Sequence, residues 1–133
     1  MVKKTFYDCP VEATIAAVGG KWKILILWRL GERTRRYGEL KRLLPEITER
    51  MLIAQLRELE ADGIIARTSY GEVPPRVDYA LTPHGRNLRP VLEAMCGWGQ
   101  EHIRLHALET PDPQHVGSDG SPLYVWPDPA ATV

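Results

Sequence analysis

The most regular stretch of the chain is TERMLIAQLRELEADG, residues 48–63. At about 100° per residue, Leu52, Leu56 and Leu59 share one face of a helix. Arg50, Ala54, Arg57 and Ala61 lie opposite them, with Ile53 beside that stripe. Thr48 is a good N-cap and Gly63 a good stop. One face is therefore core, and the other is exposed, slim and basic. Upstream, PVEATIAAV (residues 10–18) opens on a proline, a favoured first helical residue, and halts at Gly19-Gly20. KWKILILWRLG is apolar nearly all round, as a buried central helix is, and closes at Gly31. ERTRRYGELKRLLPE predicts a basic turn and a short helix with Leu40, Leu43 and Leu44 on one side, ended by Pro45.

After Gly63 the rhythm changes to period two. Ile64-Ile65 followed by ARTS predicts one strand, and Val77-Asp78-Tyr79-Ala80-Leu81 alternates as a half-buried partner. Between them GEVPPR stands where a tight hairpin would use Asn-Gly or Asp-Gly. Two prolines stiffen this loop, so fewer states are lost when Arg76 at its tip engages a phosphate or a narrow minor groove. Thr82-Pro83 then predicts the cap and first residue of a long last helix reaching Leu108, bent at Pro90 and at Gly97 and Gly99. From Thr110 onward the chain is rich in Pro, Gly, Ser and Asp. It reads as an extended tail without its own core, with Tyr124 and Trp126 as surface anchors. The expected organisation is a domain over residues 1–109 and a tail over 110–133.

Helix, helix, short helix, capped long helix, two strands, helix is the order of a winged helix-turn-helix. The fold class is mainly α with a small β-hairpin wing. GELKRLLPEITERMLIAQL is the helix-turn-helix proper, two helices joined by a short turn. A 15-residue helix is roughly 22 Å long, and the major groove of B-DNA, about 12 Å wide, admits it.

Composition narrows the setting. The 133 residues are 44% hydrophobic, and none of the apolar runs approaches the roughly 20 residues of a membrane helix. MVKKTFYDCP has lysines but lacks the apolar region of a secretory signal. Two cysteines, Cys9 and Cys96, are too few for a disulfide framework, so a reducing, cytoplasmic setting is expected. Net charge is zero, but it is unevenly placed. Residues 1–57 hold twelve basic and six acidic side chains, and the remainder five and eleven. Such asymmetry suggests one surface suited to a polyanion, although charges also simply solvate outer faces.

GGKWKILILWRL, RRYGELKRLLPEIT, RMLIAQLRELEADGII and PPRVDYALTPHGRNL, in this order between about Cys9 and Trp98, resemble the HxlR-type bacterial transcription regulators. The resemblance implies a homodimeric winged-helix regulator that binds double-stranded DNA, with the terminal helices forming the dimer interface. A two-fold dimer implies a near-palindromic operator. Similar proteins often carry polar residues where this chain has Ile53-Ala54. Several also carry a sensing cysteine just ahead of the first helix, a position that Cys9 matches, with Pro10 following.

The DNA-binding candidates follow from these placements. Thr48 and Ala54 belong to the candidate set; Arg50, near the helix start at Thr48, reads a base edge or a flanking phosphate, and Arg57 grips backbone. The alternative is a solvated face with Glu49 and Glu58 as partners. Ile53 meets a thymine methyl or packs under the wing, next to Ala54 on the exposed stripe. Lys41 and Arg42, on the helix that crosses the backbone, position rather than specify. Arg76 completes the set from the wing.

Cys9 is a redox-sensing candidate. It stands at a helix N-terminus, where the macrodipole favours a thiolate, with Lys3 and Lys4 close along the chain and Asp8 opposing. The bland reading is a small, semi-buried residue, and Cys96 on a core-facing helix reads as inert. Trp22, Trp28 and Trp98 read as core or interface aromatics. His102 and His106 share a helical face with Glu109 a turn on, but a metal site needs further ligands. Neither a metal nor a cofactor is expected. Catalysis is not expected, since phosphate loop, GxSxG and HExxH are all lacking. Two readings compete with the DNA-binding one: a winged-helix module that binds only protein, and a metal-responsive regulator using His102 and His106. The effector, if one exists, is not legible.

Overall fold

The computed structural model of the chain describes residues 6–106. These fall into two units, one ending at Arg86 and the other starting at Asn87. The N-terminal unit begins with helices α1 (Pro10–Val18) and α2 (Lys21–Glu32), followed by strand β1 (Arg35–Arg36) and helices α3 (Tyr37–Leu43) and α4 (Glu49–Ala61). Strands β2 (Ile65–Ser69) and β3 (Val77–Leu81) and the short helix α5 (Pro83–Arg86) complete it. The C-terminal unit contributes α6 (Arg89–Leu105).

The core lies where the apolar periodicity places it. Leu52, Leu56 and Leu59 of α4 are buried, with Ile26, Leu27 and Leu30 of α2, Leu40 of α3, and Leu44 and Ile47 of the turn. α4 is held at both ends by its own sequence. The Thr48 hydroxyl accepts a hydrogen bond from the Met51 amide at 3.1 Å, which satisfies one of the orphan N–H groups of the first turn. At the far end Gly63 has φ +72°, a backbone state costly for other residues. The chain can therefore turn at once into β2. One charge crosses the core: Lys23 of α2, its side chain only 11% exposed, donates to Glu58 of α4 at 2.7 Å. An ammonium so nearly dry requires such a partner.

The wing is larger than a hairpin. β3 lies at the centre of a three-stranded antiparallel sheet in the order β1-β3-β2, with Arg35 opposite Tyr79, Arg36 opposite Asp78 and Thr68 opposite Asp78. The basic turn expected at residues 33–36 is thus partly a strand. Two residues are too few to show a period, which is why the pattern missed it. Its presence also corrects the alternation in β3. Asp78 belongs to the expected wet face, yet it is 7% exposed, because it is covered by neighbours described below.

The single long last helix is corrected too. The helical run is broken at Asn87 and Leu88, between α5 and α6. Pro90 has no N–H to offer and its ring would strike the carbonyl four residues back, so it sits in the first turn of a new helix. Gly97 and Gly99 lie inside α6 without interrupting it. Thr82 does cap as expected, accepting from the Gly85 amide at 3.1 Å. The Thr82 hydroxyl also lies 2.6 Å from the Gly63 carbonyl oxygen and 3.0 Å from that of Ile64. A Cβ on Gly85 would stand 2.2 Å from the Ile64 carbonyl oxygen, so only glycine lets α5 approach this closely. No helix among the described residues is long and apolar enough to cross a membrane. The tail, with Tyr124 and Trp126, lies outside the described residues, as do Lys3, Lys4 and Glu109.

Leu56, 1% exposed, lies on the middle of the buried stripe of α4. Truncation there removes buried methyl groups and leaves a cavity. Leu56→Ala should therefore lower unfolding free energy by about 2–5 kcal/mol. Urea denaturation measures this, and a loss no larger than that of the exposed control Ala54→Gly would place the core elsewhere.

Candidate nucleic-acid interface

α3, the turn and α4 form the two-helix unit, and three features fix its geometry. Arg35 is nearly buried, its side chain 9% exposed. Its guanidinium pairs with Glu32 at the end of α2 and stands 3.5 Å from Glu39 of α3, while its Nε donates to the Arg29 carbonyl at 3.3 Å. Glu39 in turn accepts from the Arg36 amide at 3.3 Å, capping α3. That amide, then the guanidinium groups of Arg33 and Arg35, hold the Glu39 carboxyl below the usual carboxylate range. The third feature is Lys41, which donates to the Ile47 carbonyl at 2.7 Å and so closes the turn between α3 and α4. This is a structural task that sequence reasoning did not assign to it.

Between α4 and the wing runs a groove of about 850 Å³. Of the residues expected to meet DNA, Arg42, Ile53, Arg57 and Arg76 line it. Arg50 and Ala54 are exposed on α4 but do not line the groove, and Thr48 serves as its N-cap. Ile53 is 38% exposed, so it is not packed away beneath the wing. Among the residues the structure adds to the groove wall are Arg36 from β1, Tyr37 from α3 and Arg67 from β2. Arg36 was legible only as a basic turn. Arg67 is exposed on β2 although it shares the parity of buried Ile65, so the alternation of that strand does not reveal it. Among the described residues, Arg42, Arg50, Arg57 and Arg67 make no ion pair. Five arginines therefore border one cleft, against Glu39, Glu49 and Glu60. Tyr37 is its least settled member. The hydroxyl is buried without a hydrogen bond of ordinary length, and burial, then the nearby Glu49 carboxylate, raises its pKa.

Arg76 does not project freely from the wing tip. Its Nη2 lies 3.0 Å and its Nε 3.3 Å from the two carboxylate oxygens of Asp78, and its guanidinium stacks 4.5 Å above the Tyr70 ring. The Tyr70 hydroxyl donates to the same carboxylate at 3.1 Å. The Val73–Pro74 peptide is cis.

Cys9 is exposed and occupies the N-cap position of α1, its carbonyl accepting from the Glu12 amide at 2.9 Å. Cys96 is half-buried, and burial, then Glu93, raises its thiol pKa, consistent with an inert residue. On α6, Trp98 is 69% exposed and is not a core residue of the described chain. Its ring stacks on His102 with centroids 4.9 Å apart, and the His102 and His106 rings lie 4.3 Å apart in a tilted arrangement. Among the described residues there is no cluster of three or more side chains suited to a metal.

The hydrogen bonds from Arg76, and then from Tyr70, hold the Asp78 carboxyl below its ordinary range, helped by the charges of Arg76 and Arg36. The stabilisation linked to this ion pair is full above the unfolded aspartate pKa of about 3.9 and is lost as pH falls through the lower folded value. The melting-temperature difference between wild type and Asp78→Asn should accordingly be constant from pH 6 to 8 and shrink below about pH 4. Thermal melts across that range check this, and a difference that grows on acidification would contradict it.

Comparison with known proteins places this geometry. The family model described as HxlR-like helix-turn-helix matches residues 17–107. The uncharacterised HTH-type transcriptional regulator YtcD of Bacillus subtilis (strain 168) is 51% identical over 102 residues, covering 77% of this chain and 81% of that protein. The solved redox regulator HypR, in its oxidised form, is 48% identical and covers 70% of this chain and 96% of its own, with a TM-score of 0.67. The reduced form of the transcriptional regulator YodB from B. subtilis is 32% identical, covering 71% and 94%, with a TM-score of 0.62.

Proposed function

The chain belongs to the HxlR-like helix-turn-helix family, and we propose that it is a transcriptional regulator that binds double-stranded DNA as a homodimer. The observation that carries this reading is the arginine-bordered groove beside the exposed face of α4. In a winged helix, α4 enters the major groove and the wing reaches the neighbouring minor groove, so a phosphodiester strand passes between them. Arg42, Arg57 and Arg67 then neutralise phosphates, while Arg50 and Ile53 face base edges and thymine methyl groups. A module that binds only protein would leave these arginines without a task.

Dimerisation rests on what the terminal helices leave uncovered. On α1, Val11 and Ile15 are each more than 60% exposed. On α6, Val91, Met95, Trp98 and Leu105 are exposed, and with His102 they follow the four-three spacing of a helix-pairing seam. A second copy covers these faces. Two recognition helices about a two-fold axis then read a near-palindromic operator whose half-sites lie about one helical turn apart.

If each subunit neutralises several phosphates, log affinity for a duplex selected from a random pool should fall with log salt at about 0.9 per contact. In the same titration Arg50→Ala should cost about 1–3 kcal/mol on the selected duplex and relax preference at one position, with little change on a scrambled one. Fluorescence anisotropy on both duplexes decides. A salt-insensitive complex, or equal losses on both, would remove Arg50 from base reading.

Redox control is the finer part of the proposal. HypR is a redox regulator by name, and Cys9 of this chain is an exposed thiol at a helix N-terminus. A two-electron oxidant removes the hydrogens of two thiols to join two Cys9 residues across the dimer, or forms a mixed disulfide with a small thiol. Either product alters the setting of α1 and with it DNA affinity. Diamide treatment should change operator binding of wild type severalfold and leave Cys9→Ser unchanged; an equal response of the two proteins would exclude Cys9 from control.

A further inference from the structure

Asp78 is the buried carboxylate on which the wing's charges converge. Its Cα partner across β1 is Arg36 and across β2 is Thr68. Arg76 reaches forward two residues to grip both its oxygens, and the Tyr70 hydroxyl binds one of them from across the loop. An aspartate beside a phosphate-binding surface is electrostatically unfavourable by itself, since it repels the strand that the arginines attract. Its position therefore needs a compensating benefit.

The geometry supplies one. A guanidinium has five N–H donors in a planar fork. Asp78 takes one from Nε and one from Nη2, which leaves three. The Arg76 side chain remains 35% exposed, and its flat face is supported by the Tyr70 ring. One face and one edge of the fork are thus fixed, while its remaining donors stay available in the groove that Arg76 lines. A free arginine would lose its rotamer entropy on meeting a phosphate, whereas one already ordered loses little.

We propose that Asp78 is a positioning residue for DNA binding: with Tyr70 it presets the Arg76 guanidinium at the wing so that the free edge of the fork meets one phosphate of the strand in the groove. This rests on the DNA-binding reading above. Asp78 itself touches no DNA and acts only through Arg76.

The opposing signs make the proposal testable. Asp78→Asn removes a negative charge near the DNA, which alone strengthens binding, and also loosens Arg76, which weakens it. With Arg76 present the second effect dominates, and affinity for a duplex selected by the wild-type protein should fall about five- to tenfold. In an Arg76→Gln background only the charge effect survives, so adding Asp78→Asn should leave affinity unchanged or raise it up to about threefold. Tyr70→Phe keeps the ring under Arg76 and deletes one bond to Asp78. It should weaken binding about twofold, again only when Arg76 is present. This milder variant decides the matter if Asp78→Asn does not fold, as judged by circular dichroism and melting. Equal changes in the two backgrounds overturn the proposal, as does tighter binding by Asp78→Asn with Arg76 intact, which would make Asp78 an inhibitory latch. If wild type selects no duplex at all, the DNA-binding reading fails first and the inference falls with it.

Discussion

Arg35 holds the two-helix unit together. Its guanidinium is almost dry, and it reaches the end of α2, the first turn of α3 and the strand that borders the wing. Removing one partner would leave a buried charge uncompensated, a cost of several kcal/mol, which is why such a group locks geometry even where it adds little net stability. The angle at which α3 leaves α2, and hence where α4 can lie, depends on this fork. Lys23 performs a simpler version of the same task between α2 and α4.

The remaining polar contacts carry that constraint outward to the groove between α4 and the wing. Lys41 closes the turn, Thr48 starts α4, and Gly63 ends it so abruptly that β2 begins two residues later. β3, central in its sheet, then brings Asp78 and Arg76 back alongside α4. None of these contacts is worth much alone. Together they define the groove between α4 and the wing, on whose border Arg42, Arg57 and Arg67 make no ion pair among the described residues while Arg76 is paired with Asp78.

Much of this was legible in the residues. The leucine stripe of α4, its caps and the strand alternation follow from local rules that tertiary structure did not override, and the resemblance to the HxlR-type regulators agrees with the family match. What sequence could not give was pairing at a distance. β1 is too short to carry a pattern. Asp78 reads as a wet-face residue until Arg36 is placed opposite it. Lys41 looks like one more surface cation until its reach to Ile47 is known. The break at Asn87 and Leu88 is a displacement of one turn: Pro90 was expected to bend a helix and instead begins one. Arg76 is the instructive case: it reads as a guanidinium held out at the wing tip, and its pairing with Asp78 and Tyr70 is invisible in the sequence.

The junction at Thr82 determines where the N-terminal unit loosens first. Its hydroxyl, its amide bonded to the Ile64 carbonyl at 3.1 Å, and the packed Gly85 bind the exits of α4 and β3 into one small knot. Beyond the last ladder bond, from the Tyr70 amide to the Arg76 carbonyl, the wing tip is exposed and rests on the Asp78 cluster. With few buried contacts at the tip and many at the knot, the tip is expected to open by local fluctuation and the knot only with the core. Amide protons would report it as a steep gradient along β3, fast-exchanging at Val77 and slow at Leu81. A wing so built can change shape at its tip without disturbing α4.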